Sequence, residues 1–206
     1  MFYEPSKRNH GLPHDPFQVI VAPRPIGWIS TRSASGLLNL APYSYFNALS
    51  SRPWLVMFSA SSEKDSVAFA RESGEFVANL VGENLADAMV LSPIDAPRGT
   101  SELELPKLTP EPISFARFPR VKEAFAALEC KLTEIWRPRS LSNSHNTPFV
   151  VTGEVVDVQI NDRILTNDLI DIAKARPVSR LGHFDYLVTK ESFAKFRPQW
   201  VSTSEG

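Results

Sequence analysis

Three short apolar runs follow one another early in the chain with no helical pattern between them. They cover residues 26–31, 38–50 and 54–60, and each has the apolar and aromatic content typical of strands. Only a short polar turn at residues 33–36 separates the first two runs. A parallel sheet would place helices between its strands. The start of the chain therefore predicts an antiparallel sheet that is closed, or nearly closed, into a barrel.

The rest of the pattern adds short helices and further strands. A helix is predicted to begin near Asp65, because Asp65 and Ser66 are both N-cap types, and to end at Gly74. Residues 83–91 and 170–175 are also predicted as helices, and 121–128 as a helical turn. Strands are predicted over residues 76–81, 129–137, 149–160 and 186–189. The expected fold is mainly β, with six or seven strands, two or three short peripheral helices and extended terminal arms.

The domain organisation is predicted to be simple, because no repeat and no interdomain linker is visible. Residues 1–206 form a single domain in this interpretation, with an N-terminal arm at 1–16, the barrel at 17–189 and a C-terminal arm at 190–206. Six prolines fall between Pro93 and Pro119, which excludes a continuous helix and disfavours a central strand there. Long excursions of this kind are more often functional than accidental.

Glycine is scarce, with nine residues against seventeen prolines in 206. Neither the GxGxxG nor the GxxxxGK[ST] loop is present, so a nucleotide phosphate would need another kind of cradle. The formal charge is −1, from 22 basic and 23 acidic residues, which argues against a nucleic-acid partner. The chain therefore predicts neither a glycine-loop nucleotide fold nor a polyanion-binding surface.

The histidines and the single cysteine predict no metal site. Gly11 and Pro13 separate His10 from His14, so these two cannot share a helix face as ligands. Cys130 is alone, which excludes an internal disulfide, and it is expected to be a small buried apolar side chain. No signal peptide or membrane span is visible, and we expect a soluble cytoplasmic protein.

Residues 39–47, NLAPYSYFN, combine a strand pattern with polar side chains and a proline. Pro42 cannot donate to a strand ladder. One interpretation is a bent strand whose free backbone groups face a flat polar ligand. The other is an edge strand with a harmless proline. The residues alone do not decide between these two.

Residues 61–66, SSEKDS, place hydroxyls and a lysine at the predicted start of a helix. A helix N-terminus presents unpaired N–H groups and a partial positive charge, so Ser61, Ser62, Lys64 and Ser66 could hold a phosphate. The carboxylate of Asp65 would repel a phosphate and so argues against this interpretation, unless it caps the helix or pairs with Lys64. A plain N-cap beside an exposed lysine explains the segment equally well.

Six segments together resemble the flavin reductase-like family, whose members adopt the FMN-binding split barrel. In chain order they are PRPIGWIST (23–31), NLAPYSYFN (39–47), EKDS (63–66), LEC (128–130), GEVV (153–156) and RLGHFDY (180–186). The resemblance extends from about residue 17 to residue 186. It implies a Greek-key-like antiparallel split β-barrel that binds FMN.

The resemblance also assigns expected roles to particular residues. The flavin ring is expected along the second strand, and the phosphate at the start of the first helix after it. The third contact is a loop at residues 180–183, where His183 stands in the place of a second glycine in many relatives. The expected cofactor-binding residues are Ser30, Thr31, Asn39, Ala41, Pro42, Ser44, Ser59, Ser61, Ser62, Lys64, Ser66, Arg180, Leu181 and His183.

The activity that the resemblance implies is hydride transfer from NADH or NADPH to flavin N5, with no catalytic side-chain acid or base. The reduced flavin would serve a partner monooxygenase or another electron acceptor. An electron-transfer protein that keeps its FMN, as flavoredoxins do, and a non-catalytic flavin-binding module are the alternatives. A homodimer is expected, and it would bury Phe193, Phe196 and Trp200 unless these cap the core of their own chain.

Overall fold

The computed structural model describes residues 1–92, 108–116, 119–141 and 146–198. The strands are β1 (Arg24–Pro25), β2 (Gly27–Arg32), β3 (Leu38–Tyr43), β4 (Phe46–Ser51), β5 (Trp54–Ala60), β6 (Glu75–Leu80), β7 (Pro110–Glu111), β8 (Arg120–Val121), β9 (Ala126–Trp136), β10 (Phe149–Ile160), β11 (Leu165–Thr166), β12 (Leu169–Ile170), β13 (Val178–Arg180) and β14 (Tyr186–Val188). The α-helices are α1 (Phe17–Ile20), α2 (Asp65–Ser73), α3 (Ala86–Leu91) and α4 (Ile172–Ala175), and 3-10 turns cover Pro5–Lys7, Glu83–Leu85 and Asp162–Ile164.

A seven-stranded sheet in the order β3-β2-β6-β9-β10-β5-β4 is the main element. All its neighbouring strands pair antiparallel. The long strands β9 and β10 lie near its centre, and their register shifts twice, between Thr152 and Gly153 and between Val155 and Asp157. Such irregularities increase strand twist and bend a sheet, which favours the curled form of this one.

The two edges of this sheet are joined by a very short connection. β3 and β4 occupy opposite ends of the strand order, yet only Ser44 and Tyr45 separate them in the chain. The Ser59 N–H donates to the Tyr45 carbonyl at 2.9 Å, which holds this link against the end of β5. The edges must therefore approach each other, and the sheet curls into a split barrel.

Apolar side chains pack on both faces of the curled sheet, because successive residues of a strand point to opposite sides. Ile29 belongs to the inner core, which also contains Phe58, Phe76 and Val67 of α2. Trp28, its neighbour in β2, belongs to a second core that includes residues of α3 and β13. β2 is thus buried on both faces.

Helix α2 closes one side of the inner core through Val67 and Ala70, both of which are fully buried. Lys64 is its N-cap residue, and Gly74 ends it with φ at +72° while its N–H donates to the Ala70 carbonyl at 3.0 Å. A left-handed conformation at this position favours glycine. The predicted end of this helix is confirmed, whereas Asp65 lies in its first turn rather than at the cap.

Most of the predicted strands are confirmed, including residues 54–60 and 149–160. The predicted strand 38–50 is divided into β3 and β4. The helical turn predicted over residues 121–128 is wrong, because this segment contributes to β8 and to the start of β9. Ala126 there pairs with Leu80 on one side and Ile160 on the other. Pairing with two long strands outweighs local helix propensity.

Several expectations concern side chains or segments away from the sheet. Cys130 is 2% exposed, as predicted, and burial raises the pKa of its thiol. Of the proline-rich stretch 93–119, only residues 108–116 and 119 lie within the described residues, and Trp200 lies outside them. Within the described ranges, no helix has the length and apolar character needed to span a membrane.

Candidate functional site

The turn between β5 and α2 presents a group of polar side chains to solvent. Ser61, Ser62 and Lys64 are exposed, and the Lys64 N–H donates to the Ser62 carbonyl at 2.8 Å, which tightens the turn. The Glu63 carboxylate is held by Arg71, with Oε1 2.9 Å from Nη2. Lys64 forms no ion pair with the described residues. Its charge is available to an external anion.

A buried hydrogen-bond network joins this turn to the barrel. Asn39 Nδ2 in β3 donates to Ser66 Oγ in α2 at 2.7 Å and to Thr31 Oγ1 in β2 at 3.3 Å. All three side chains are buried. Thr31 and Asn39 are also directly opposite in the β2–β3 ladder. The start of α2 is therefore tied by side chains to the edge strand, and three of the predicted residues are brought together.

Ser30 and Pro42 alternate with these residues and so lie on the other face of the two strands. Ser30 Oγ accepts a hydrogen bond from Asn79 Nδ2 at 2.8 Å. Asn79 also donates to the Trp28 carbonyl at 2.9 Å and accepts from the Val121 N–H at 2.8 Å. The structure thus places the Ser30 side chain away from Thr31. Sequence reasoning missed Asn79, although an asparagine inside an apolar strand is a visible signal.

The remaining predicted residues near the ring lie at the edge of the sheet. β3 has a neighbouring strand on one side only in the described sheet, so Pro42 lies on an edge strand. Ala41 packs against the inner core, and Ser44 is half-buried in the link to β4. Ser59 is half-buried at the end of β5 and contacts the same link through its N–H.

The loop at residues 180–186 is held by its own backbone and by the N-terminal region. Arg180 Nη2 donates to the His183 carbonyl, and its guanidinium lies 4.4 Å from the centroid of the Tyr186 ring. His183 has φ at +49°, a left-handed conformation that glycine adopts more easily than other residues. Its ring centroid lies 4.4 Å from that of His14. The N-terminal arm and the loop are therefore in contact.

Gly182 permits a close approach between this loop and helix α1. A Cβ at this position would lie 2.5 Å from Val19 Cγ2, closer than side-chain atoms pack. Leu181 is half-buried beside it, and its carbonyl accepts a hydrogen bond from Arg24 at 3.0 Å. Arg180, Leu181 and His183 are thus joined to the segment before β2.

Comparison with known proteins identifies the family. Residues 21–177 match the model of the flavin reductase like domain. The chain belongs to the flavin reductase-like family. A protein of Aquifex aeolicus (strain VF5) is 37% identical over 169 residues, which are 79% of this chain and 83% of that protein.

Two solved structures share both fold and sequence with this chain. Nitrilotriacetate monooxygenase component B from Bacillus cereus superposes with a TM-score of 0.85 and 29% identity, covering 95% of this chain and 98% of its own. The 2-nitrobenzoate 2-nitroreductase NbaA of Pseudomonas fluorescens gives a TM-score of 0.82 and 26% identity, with both chains covered completely. A split-barrel protein from Shewanella frigidimarina NCIMB 400 superposes with a TM-score of 0.79 and 23% identity, covering 96% of this chain and 94% of its own. The family and the split-barrel fold expected from the sequence are confirmed.

The polar groups around α2 suit the phosphate of a flavin of this family. Phosphate requires hydroxyl, ammonium and N–H donors. This turn supplies serine hydroxyls, the Lys64 ammonium, which has no ion pair with the described residues, and the N-terminal N–H groups of the nine-residue helix α2. Of the two carboxylates next to Lys64 in the chain, that of Glu63 is already paired with Arg71, and Asp65 lies in the first turn of α2. The arrangement contains no glycine loop, as the composition required.

A cavity of about 350 Å³ lies beside the link between β3 and β4 and was not predicted. It is lined by residues 20–25, by residues 44–47 and by Met57. Of the expected flavin contacts, it includes Ser44. Arg24 is also part of its lining and is only 7% exposed. In the sequence, Arg24 is a single arginine between two prolines in an otherwise apolar run, and this is the only indication of its role that the sequence offers.

Proposed function

We propose that this protein binds FMN and acts as an NAD(P)H-dependent flavin reductase. The observation that carries the proposal is the bond from Asn39 to Ser66, because it joins the expected ring-binding strand to the expected phosphate-binding turn. FMN, when bound, would supply the acceptor for hydride from NADH or NADPH at its N5 atom. No side-chain acid or base is assigned to this transfer.

The phosphate is assigned to the β5–α2 turn. Lys64 would provide the charge, with Ser61 and Ser62 beside it. The Ser66 hydroxyl accepts from Asn39, so its own O–H is left to donate, since a hydroxyl is both donor and acceptor. Ser59 would support this region through its bond to the Tyr45 carbonyl.

The flavin ring is assigned to the edge of the sheet at Ala41, Pro42 and Ser44. An edge strand offers backbone groups that no neighbouring strand uses, and these can bond the polar rim of a flat ring. Thr31 and Asn39 would hold this edge in position from the inner side. Ser30 would act indirectly, through its bond to Asn79.

The loop at residues 180–183 is proposed to approach the same region. Leu181 is bonded to Arg24, and Arg24 shares a cavity with Ser44. Arg180 and His183 would then lie on the far side of the ring from β3. The similarity to a nitrilotriacetate monooxygenase component B supports a partner monooxygenase as one acceptor of the electrons.

A lysine substitution tests the phosphate assignment. Lys64→Ala should raise the dissociation constant of FMN about ten- to hundredfold, because a charge-assisted contact contributes roughly 1.5–3 kcal/mol. Lys131→Ala, which removes an exposed lysine from β9, is the matched control and should leave FMN binding unchanged. Equal affinities for the two variants and the natural protein would refute the assignment.

Anaerobic reduction tests the activity. The FMN-loaded protein should bleach on addition of NADH or NADPH, and steady-state nicotinamide oxidation should follow when an acceptor is present. A protein that keeps its FMN but shows no turnover with either nucleotide would instead be an electron carrier. A colourless protein that does not bind added FMN would contradict both activities.

We further propose a homodimer in the cytoplasm. Phe193 and Phe196 are 84% and 95% exposed, so these two aromatics do not cap the core of their own chain. Large aromatic side chains exposed on a terminal arm can be covered by a partner. Size-exclusion chromatography with light scattering should give twice the chain mass, and a monomer would contradict the proposal.

A further inference from the structure

The cavity beside Ser44 combines apolar walls with a buried cation. Its volume is about 350 Å³, and its lining includes the apolar residues Val21, Pro23, Pro25, Phe46 and Met57 beside the polar Ser44 and Asn47. Arg24 lies in the same wall and is 7% exposed. Small-molecule sites typically have this size and combine apolar walls with a few polar groups that fix orientation.

One edge of the Arg24 guanidinium is occupied by the protein itself. Nη1 donates to the Val21 carbonyl at 2.7 Å, to the Leu181 carbonyl at 3.0 Å and also to the Gln18 carbonyl. These bonds fix the side chain between α1 and the loop after β13. The orientation of the group is therefore set before any ligand arrives.

The other edge of the guanidinium has no acceptor among the residues that the structure describes. Nε is buried without a hydrogen-bond partner, and Nη2 has none among the described residues. Nε–H and one Nη2–H are parallel donors that match the two oxygens of a carboxylate. A buried N–H without an acceptor is costly, so a ligand that supplies two oxygens would gain from this position.

The charge around Arg24 is also uncompensated. Arg24 pairs directly with Arg180 across the β1–β13 ladder, and like charges opposite each other in a sheet are unfavourable. Neither arginine forms an ion pair within the part of the chain that the structure describes. Both lie over tyrosine rings instead, Arg24 over Tyr45 at 5.6 Å and Arg180 over Tyr186 at 4.4 Å. A bound anion would compensate the positive charges of these two arginines.

The lining selects the kind of anion. A phosphate dianion is normally held by several hydroxyls and N–H groups, whereas this lining combines one arginine with Ser44, Tyr45 and Asn47 and is otherwise apolar. We propose that this cavity binds a small carboxylic acid with an apolar or aromatic body, its carboxylate on Nε and Nη2 of Arg24. Given the proposed function, which places flavin at Ser44, this acid is the second substrate that meets the flavin.

Benzoate and its neutral analogue benzamide are suitable probes of the full-length, FMN-loaded protein. Isothermal titration should give a benzoate dissociation constant about tenfold or more below that of benzamide, because only the carboxylate makes the paired charge-assisted bonds. FMN should remain bound throughout, as its absorbance will show. Equal affinity for the two probes, or release of FMN by benzoate, would overturn the proposal.

Three variants locate the binding. Arg24→Lys keeps the charge but loses the parallel donors, so benzoate affinity should fall about tenfold. Met57→Trp fills the cavity with Arg24 intact and should abolish binding, which covers the case in which the Arg24 variant does not fold. Arg163→Met removes an arginine that also donates to a backbone carbonyl, that of Glu123, and should bind as the natural protein does. Unchanged benzoate binding in Met57→Trp would overturn the proposal.

Two further titrations separate this site from the flavin site. Inorganic phosphate should bind less tightly than benzoate, and a reversed preference would assign the cavity to phosphate instead. If benzoate binds as expected to protein that takes up no FMN, the carboxylate site stands and the proposed reductase function fails. If FMN binds and is reduced by NAD(P)H but benzoate does not bind, the reverse holds.

Discussion

Replacement of Asn39 by alanine tests the network that joins α2 to the barrel. Its amide makes a 2.7 Å bond to Ser66 and a longer 3.3 Å bond to Thr31, and both acceptors are almost completely buried. A typical intramolecular hydrogen bond contributes roughly 1 kcal/mol, and an unsatisfied buried group costs about 1–3 kcal/mol. The short bond dominates, so Asn39→Ala should lower the free energy of unfolding by about 2 kcal/mol.

Urea unfolding of FMN-free protein, followed by circular dichroism, measures this change directly. The midpoint should fall while the m-value stays constant, and the thermal midpoint should drop by about 4–8 °C for a chain of this size. Asn47→Ala is the matched control, since Asn47 is an exposed asparagine of the same motif that bonds only the neighbouring Ala48 N–H. It should change the free energy of unfolding by less than about 0.5 kcal/mol.

A double-mutant cycle with Ser66→Ala isolates the bond between the two elements. The coupling free energy should be about 1 kcal/mol, because each single substitution already removes the shared contact. Additive effects, with a coupling below about 0.3 kcal/mol, would show that Asn39 and Ser66 do not stabilise each other and would refute the reasoning. The same variants should bind FMN more weakly than the natural protein does, which tests the proposed site separately from stability.

Three further predictions concern packing, backbone strain and pH. Gly153→Ala should lower the free energy of unfolding by about 1–3 kcal/mol, because the new Cβ would lie 2.5 Å from buried Phe76; an unchanged urea midpoint would contradict this. His183→Gly should melt higher than His183→Ala, by about 1 kcal/mol of stability, since φ at this residue is +49°; identical melting curves would count against it. The hydrogen bond from Arg176 lowers the pKa of Glu83 below 4.5, so the advantage of the natural protein over Glu83→Gln should be present above pH 4.5 and disappear as pH falls through the lowered pKa. A difference in urea midpoints that grows on acidification would refute this last prediction.

The sequence predicts the long strands well because their pattern and their environment agree. Residues 149–160 alternate with a period of two and form β10 with the predicted bounds. The segment 54–60 is a continuous apolar run and forms β5. In both cases local pattern and tertiary burial favour the same structure, so no information beyond the chain itself is needed.

The wrong or incomplete expectations share one cause, which is pairing between distant residues. Residues 121–128 are rich in alanine and favour a helix locally, but β9 begins there because Leu80 and Ile160 pair with Ala126. The two-residue strand β1 is visible only through its partner β13. The break after Tyr43 is likewise set by the positions of the two sheet edges.

The candidate site was predictable in its residue types and not in its connections. Lys64 and the serines beside it were predicted as phosphate ligands from the helix start that follows them, and this role stays a prediction. The bond between Asn39 and Ser66 joins elements 27 residues apart and has no signature in a single sequence. Arg24 was missed because its isolation from carboxylates becomes apparent only when the loop at Leu181 and the link at Ser44 are placed around it.

The connection between β3 and β4 has a consequence for how the chain tolerates change. The turn at residues 33–37 joins two adjacent strands, so an inserted residue there would only enlarge a surface hairpin. Ser44 and Tyr45 instead connect the two edge strands of the sheet, β3 and β4. Every added residue would let these edges move apart. Extra length at this point would widen the barrel. It would also open the cavity wall that contains both Ser44 and Arg24. This two-residue connection is therefore also the segment that sets the width of the proposed binding cleft.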